Sequence, residues 1–183
     1  MAAYLWGSRE LGLLRLARLK NLLGVFVGAV LFFTLIYHLT NLYITQHHGI
    51  ARFILVDGGI FTWMFWGGHV LIGSLVPLVL VYIPPFSESR NAVATASFLV
   101  LVGAFFHIYV IVIGGQAFPM TLFPGQEVLE SSFLDGMVAE YVPSLPEALL
   151  GIAGIAIAMT IVAVVARMMR VLPEHLLDPE TES

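Results

Sequence analysis

Histidine is the side chain that most readily takes up and releases a proton near neutral pH. Three of the six histidines in this chain, His38, His69 and His107, stand inside long stretches with almost no charge. A polar side chain in such surroundings needs a hydrogen-bonding partner or a task, because an unpaired polar group is costly in an apolar medium. Thr34, His38, Asn41 and Thr45 follow at intervals of four, three and four, the spacing of one helix face. Such a face can hydrogen-bond a quinone carbonyl or relay protons, and it can equally serve as polar packing between helices. In the next apolar stretch a regular helix places Thr62, Trp66, His69 and Gly73 on one side. His69 lies about ten residues in, near the bilayer midplane at 1.5 Å per residue. Pro77 has no amide to offer the Gly73 carbonyl, so a kink is expected one turn beyond His69. In the third stretch Ala96, Val100, Gly103, His107 and Gly114 line one side. His69 and His107 thus stand at similar depth on packing faces of adjacent antiparallel helices. Three uses fit that placement: axial ligation of one b-type heme, a shared proton path, or separate bonds to neighbouring helices.

The elements that position these residues follow from composition. The chain has 183 residues, 59% apolar and 11% charged, with a mean hydropathy of +0.94. Soluble domains are nearer 45–50% apolar and 25% charged, so a soluble globular fold is excluded. A hydrocarbon core about 30 Å thick takes roughly 20 helical residues per crossing. Helices are the expected form, since each backbone polar group in lipid must be satisfied within its own segment. Residues 21–44, 59–83, 91–118 and 148–170 qualify as spans, giving an all-α transmembrane four-helix bundle over 21–173. Residues 1–20 form a basic amphipathic segment suited to an anionic lipid surface, and 174–183 an acidic tail. The first span is no cleavable signal peptide, because about twenty residues precede it and its apolar core is too long. Span four, with Gly151, Gly154 and Ala158 on one face and Thr160 in its middle, reads as packing scaffold.

Seven of the eight Lys and Arg residues fall on one side of these spans: Arg9, Arg15, Arg18, Lys20, Arg90, Arg167 and Arg170. The positive-inside rule then expects both termini in the cytoplasm, with residues 45–58 and 119–147 facing outward near Arg52 and Asp57. The second of these loops carries Glu127, Glu130, Asp135, Glu140 and Glu147 without a basic residue. It reads either as a docking surface for a basic partner or as a solvated loop. A net charge of −4 gives no sign of nucleic acid. With no cysteine the chain has no disulfide, thiolate nucleophile, iron–sulfur cluster or Cys-ligated zinc of its own. The spans hold no Asp or Glu at mid-depth, which disfavours a carboxylate-driven pump.

Three segments together carry a resemblance. They are His38-Leu-Thr-Asn41-Leu-Tyr43 running into His47-His48-Gly49, Phe53-Ile-Leu-Val-Asp57-Gly58-Gly59 followed by Phe65-Trp66-Gly67-Gly68 and Pro77, and Tyr109-Val-Ile-Val-Ile-Gly114-Gly115-Gln116. From Asn21 to Gln116 the chain resembles the C-terminal half of the NrfD-like, polysulfide reductase type membrane subunits, of the DsrP kind. The resemblance implies a heme-free bacterial inner-membrane subunit that exchanges electrons between the quinone pool and a docked iron–sulfur subunit. That subunit connects to a catalytic oxidoreductase or a multiheme cytochrome. The bound quinone, menaquinone or ubiquinone, is then the carrier in this chain, with no metal site.

Two features depart from the family. Its members usually have eight or more helices in two bundles, so a second membrane subunit or another copy of this chain is expected to complete the pair. His69 stands where Gln or Glu is the family's usual choice. On this footing His38, Asn41, Thr34 and Tyr37 are candidates for quinone binding, His69 and His107 for proton relay, and Arg52 with Asp57 for the outer mouth. Asp57 is also placed to cap span two. A b-type cytochrome subunit using His69 and His107 as axial ligands is the alternative, and a non-catalytic anchor or assembly subunit is another.

Overall fold

The structure, a computed structural model, describes residues 10–45, 47–84, 86–119, 138, 142–169 and 175–176. Four helices within it are long and apolar enough to cross a membrane. The first, α1 (Leu13–Tyr43), has 31 residues, roughly 46 Å at 1.5 Å per residue. A hydrocarbon core about 30 Å thick leaves its first turns outside, and those turns carry Arg15, Arg18 and Lys20. The helix thus starts before the apolar run does, because charged residues outside the lipid do not stop a helix. Leu16, Val27, Thr34 and His38 form its buried side. Lys20 Nζ donates to the Ser87 carbonyl at 3.3 Å, tying this end to the turn between the next two spans.

Residues 45–58, expected as a loop, instead form α2 (His48–Arg52) and one π turn, Phe53–Asp57. Ala51, Phe53 and Ile54 are buried, and Phe53 and Ile54 pack with Phe61, Phe65, Val110 and Ala117 into an apolar core. That burial makes the segment a structural plug rather than a solvated connection. A π turn brings residues five apart together, and Arg52 Nε meets Asp57 Oδ2 at 2.8 Å. Asp57 is therefore an ion-pair partner and not the cap of the following helix. Thr62 takes the capping role: its Oγ1 accepts from the Gly58 amide at 3.1 Å and donates to the Phe53 carbonyl at 3.2 Å. Gly59, at φ 55°, makes the reversal into the second span in a conformation costly for other residues.

The second span, α3 (Ile60–Tyr82), is apolar enough to cross, but twelve of its residues, Met64–Leu75, are wound as a π-helix. Six of its buried residues, Phe61, Phe65, His69, Gly73, Pro77 and Val81, recur every fourth position, with Gly68 and Ser74 buried beside them. In a regular helix each four-residue step drifts by about 40°, so five steps turn the face through roughly 200°. The wider π winding keeps the face in line. This also corrects the expected grouping of Trp66 with His69. Trp66 is 51% exposed, and its Nε1 donates to the Leu55 carbonyl at 2.9 Å on the α2 side. Around Pro77 the irregularity spreads upstream: the Val76 amide bonds Leu71, five residues back, and Ser74 Oγ donates to the His69 carbonyl at 3.0 Å.

The third span, α4 (Arg90–Ala117), returns antiparallel after a turn that includes Phe86–Glu88, and has its own π turn at Val110–Gly114. It crosses α3 where Gly73 and Gly103 face each other with backbones in contact, so a Cβ on either would fall on the other's Cα. The fourth, α5 (Leu145–Met168), starts three residues before the expected span because Ser144 and Glu147 cap it, the Ser144 amide donating to Glu147 Oε2 at 2.7 Å. Thr160 satisfies itself on the Ala156 carbonyl at 2.7 Å. None of the residues of α5 is buried, so the buried apolar residues come from α1, α3, α4 and the segment of α2 with its π turn. A two-residue parallel pairing, β1 (Glu10–Leu11) with β2 (His175–Leu176), joins the segments that flank the four spans. Glu127, Glu130, Asp135, Glu140 and Arg170, with most of the acidic tail, lie outside the described residues.

Candidate functional site

The alignment of α3 brings His69 under the face of α1. His69 is 3% exposed and its Nε2 lies 3.5 Å from Thr34 Oγ1, with the Gly103 main chain also within bonding reach. Its ring stacks on that of His107 with centroids 4.0 Å apart and planes 26° from parallel. The Gly73–Gly103 crossing explains this closeness: backbones in contact one turn away allow two rings to meet flat between the helices. On the other side His38, 7% exposed, sits edge-on to Phe65 at 4.8 Å, and Phe65 in turn lies 6.0 Å from His69. Thr34, His38, His69 and His107 are thus one cluster spanning α1, α3 and α4.

The cluster occupies the half of the span region nearer Tyr43, Ile60 and Ala117. His38 is five residues from the end of α1, His69 nine from the start of α3 and His107 ten from the end of α4. At 1.5 Å per residue these are depths of roughly 8, 13 and 15 Å. Two nitrogens in it, His38 Nδ1 and His107 Nδ1, are buried with no hydrogen-bond partner. Buried polar atoms are paired in the great majority of cases, which sets these two unpaired nitrogens apart from the rest of the helix interfaces.

The other expected residues fall elsewhere. Asn41 is engaged by another partner: its Oδ1 lies 3.2 Å from His47 Nδ1, with the ring N–H donating. Beside it His48 Nδ1 donates to the Leu42 carbonyl at 3.0 Å, so this pair of histidines ties α2 onto the end of α1. Tyr37 is 52% exposed, its ring edge-on to His38 at 5.2 Å. Thr45 is exposed. Arg52 and Asp57 are both more than half exposed and belong to the α2 plug rather than to the cluster.

Phe65, Ser74 and the Gly73–Gly103 contact belong to the site and were not among the expected residues. Phe65 and Gly73 have a signal in the four-residue interval of Phe61, Phe65, His69, Gly73 and Pro77, visible in the sequence but foreign to a 3.6-residue period, whereas Ser74 and Gly103 lie outside it. Two rings stacked at 4.0 Å do not oppose their nitrogens across an iron atom as an axial pair does. Among the described residues no group of three or more His, Cys, Asp or Glu is arranged to hold a metal ion.

Four helices of spanning length and apolarity, three of them closing on a largely buried histidine cluster, define a multi-pass all-α membrane protein. Its residues 4–120 match the family model described as polysulphide reductase, NrfD, and the chain belongs to the NrfD family. It is 27% identical over 169 residues to a protein of Archaeoglobus fulgidus named Hdr-like menaquinol oxidoreductase integral membrane subunit. That alignment covers 90% of this chain and 42% of the relative, so the chain spans less than half the length of that curated protein. No solved structure matches the chain.

Proposed function

We propose that this chain is a membrane subunit of a quinone- or quinol-linked respiratory or sulfur-metabolism oxidoreductase complex. In that role it exchanges electrons between the quinone pool and a docked iron–sulfur subunit, which connects to a catalytic subunit or a multiheme cytochrome. The observation that carries this function is the cluster of buried Thr34, His38 and His69 with half-buried His107, and its two unpartnered nitrogens. NrfD membership and the menaquinol oxidoreductase relative point the same way. The absence of cysteine suits a chain that takes its metal centres from partners, and a second membrane subunit or another copy of this chain is part of the proposed complex. The membrane is a bacterial cytoplasmic membrane, with Arg15, Arg18, Lys20 and Arg90 on the inner side and the cluster in the outer half.

A quinone head group presents two carbonyl oxygens and, reduced, two hydroxyls, and its reduction consumes protons. Within this chain His38 and Thr34 are placed to hydrogen-bond such oxygens. His69 and His107, stacked behind them, hold and move protons through their ring nitrogens. The apolar packing of Phe61 and Phe65 keeps bulk water from the cluster. Tyr37 lies beside His38 on the lipid side, at the approach to the site. Asn41, engaged with His47, fixes the helix end. The test is photolabelling of the purified complex with an azido-quinone. Label is expected on peptides containing residues 34–43, and label confined to other subunits would contradict the assignment.

A further inference from the structure

His38 and His107 come from different helices, α1 and α4, and flank the same residue: Thr34, one turn from His38, bonds His69, and His107 stacks on His69. His38 is more than nine-tenths buried, and the Nδ1 atoms of His38 and His107 are buried without a partner. Neutral imidazole has one N–H donor and one lone-pair acceptor, so each Nδ1 must give or take a hydrogen bond or forfeit it. Forfeiting two in one apolar setting is costly, and buried polar groups of this kind are met by ordered water or ligand. The neighbours do not supply the bond, since Phe65 presents only its ring to His38.

We infer that the His38 and His107 Nδ1 atoms bind a hydrogen-bonding oxygen between α1 and α4, belonging to a water molecule or to a quinone head group. The two sources differ in proton inventory. A quinone carbonyl only accepts, so it requires N–H at Nδ1 of each histidine it contacts. Water both gives and accepts, and it suits either tautomer. A quinone oxygen here rests on the quinone-linked function proposed above, whereas bound water does not.

Solid-state NMR on the full chain in lipid, with 15N-labelled histidine, tests this. Signals are assigned by comparison with His38→Phe and His107→Phe, and with the double variant should either single one misfold. Polarisation transfer from water to both Nδ1 nitrogens, unchanged on adding a short-chain menaquinone analogue, assigns the oxygen to water. Loss of that transfer with a shift of both nitrogens on adding the analogue assigns it to the quinone. Absence of water contact together with indifference to the analogue overturns the inference. None of these readouts depends on turnover, so the inference can fail while quinone-linked electron transfer by the complex stands.

Discussion

Replacing His69 with leucine is expected to lower quinone-linked turnover by about 100-fold or more, the usual contribution of a positioned acid–base group, while the subunit still assembles. Leucine fills similar space between Phe65 and His107 but carries no proton. The partner it abandons is Thr34 Oγ1, and a helical threonine can turn its hydroxyl to the carbonyl four residues back, so the structural cost is small. His69→Met is close to leucine in size, fills the same space and carries no proton, and it should resemble leucine in turnover and wild type in assembly. Rates are measured as quinol oxidation by purified complex, normalised to the amount of this chain present. Wild-type turnover in both variants would remove His69 from the chemistry and leave it a packing residue.

Gly103→Leu is expected to have the largest structural effect of any single change. A Cβ at position 103 falls on the backbone of Gly73, and backbone cannot move aside as a flexible side chain can. Overpacking a closed interface costs about 1–3 kcal/mol when side chains can adjust, and here the helices themselves must separate. That separation also pulls His107 off His69. The variant should be recovered in membranes at a small fraction of the wild-type amount and should unfold at lower temperature in mild detergent. Gly28→Leu is the matched control: no atom of another helix lies within 4 Å of a Cβ there, and its yield should be unchanged. Equal yield for the two variants would show that α3 and α4 do not cross at Gly73 and Gly103.

Much of this arrangement can be read from the chain, and the failures have local causes. Apolar runs locate the four spans because hydrocarbon thickness sets a length that composition reports directly. The boundaries of α1 and α5 depart from those runs, since helix ends are set by backbone hydrogen bonding and caps, as with Ser144 and Glu147. Thr34 and His38 are legible as one face because α1 is regular through them. Asn41 shares that face by spacing, yet its amide is taken by His47, a contact that depends on how the chain turns after Tyr43. The face of α3 defeats a 3.6-residue period because Met64–Leu75 is π-wound. A 3.6-residue period consequently groups Trp66 with His69 and passes over Phe65, whose ring contacts both His38 and His69. Similar depth on antiparallel neighbours was enough to place His69 near His107. The stacking itself depends on the Gly73–Gly103 contact, which spacing alone does not reveal.

The central claim is that this chain connects a complex to the quinone pool. It is tested most directly by isolating the complex from cells with and without the gene for this chain. Electron transfer from a menaquinol analogue to the iron–sulfur partner is then measured, beside transfer from an artificial soluble donor. The account predicts that removing the chain abolishes the quinol-driven rate and leaves the soluble-donor rate intact, with the quinol-driven rate restored on adding the chain back in lipid. A complex that oxidises quinol at the full rate without this chain would contradict it.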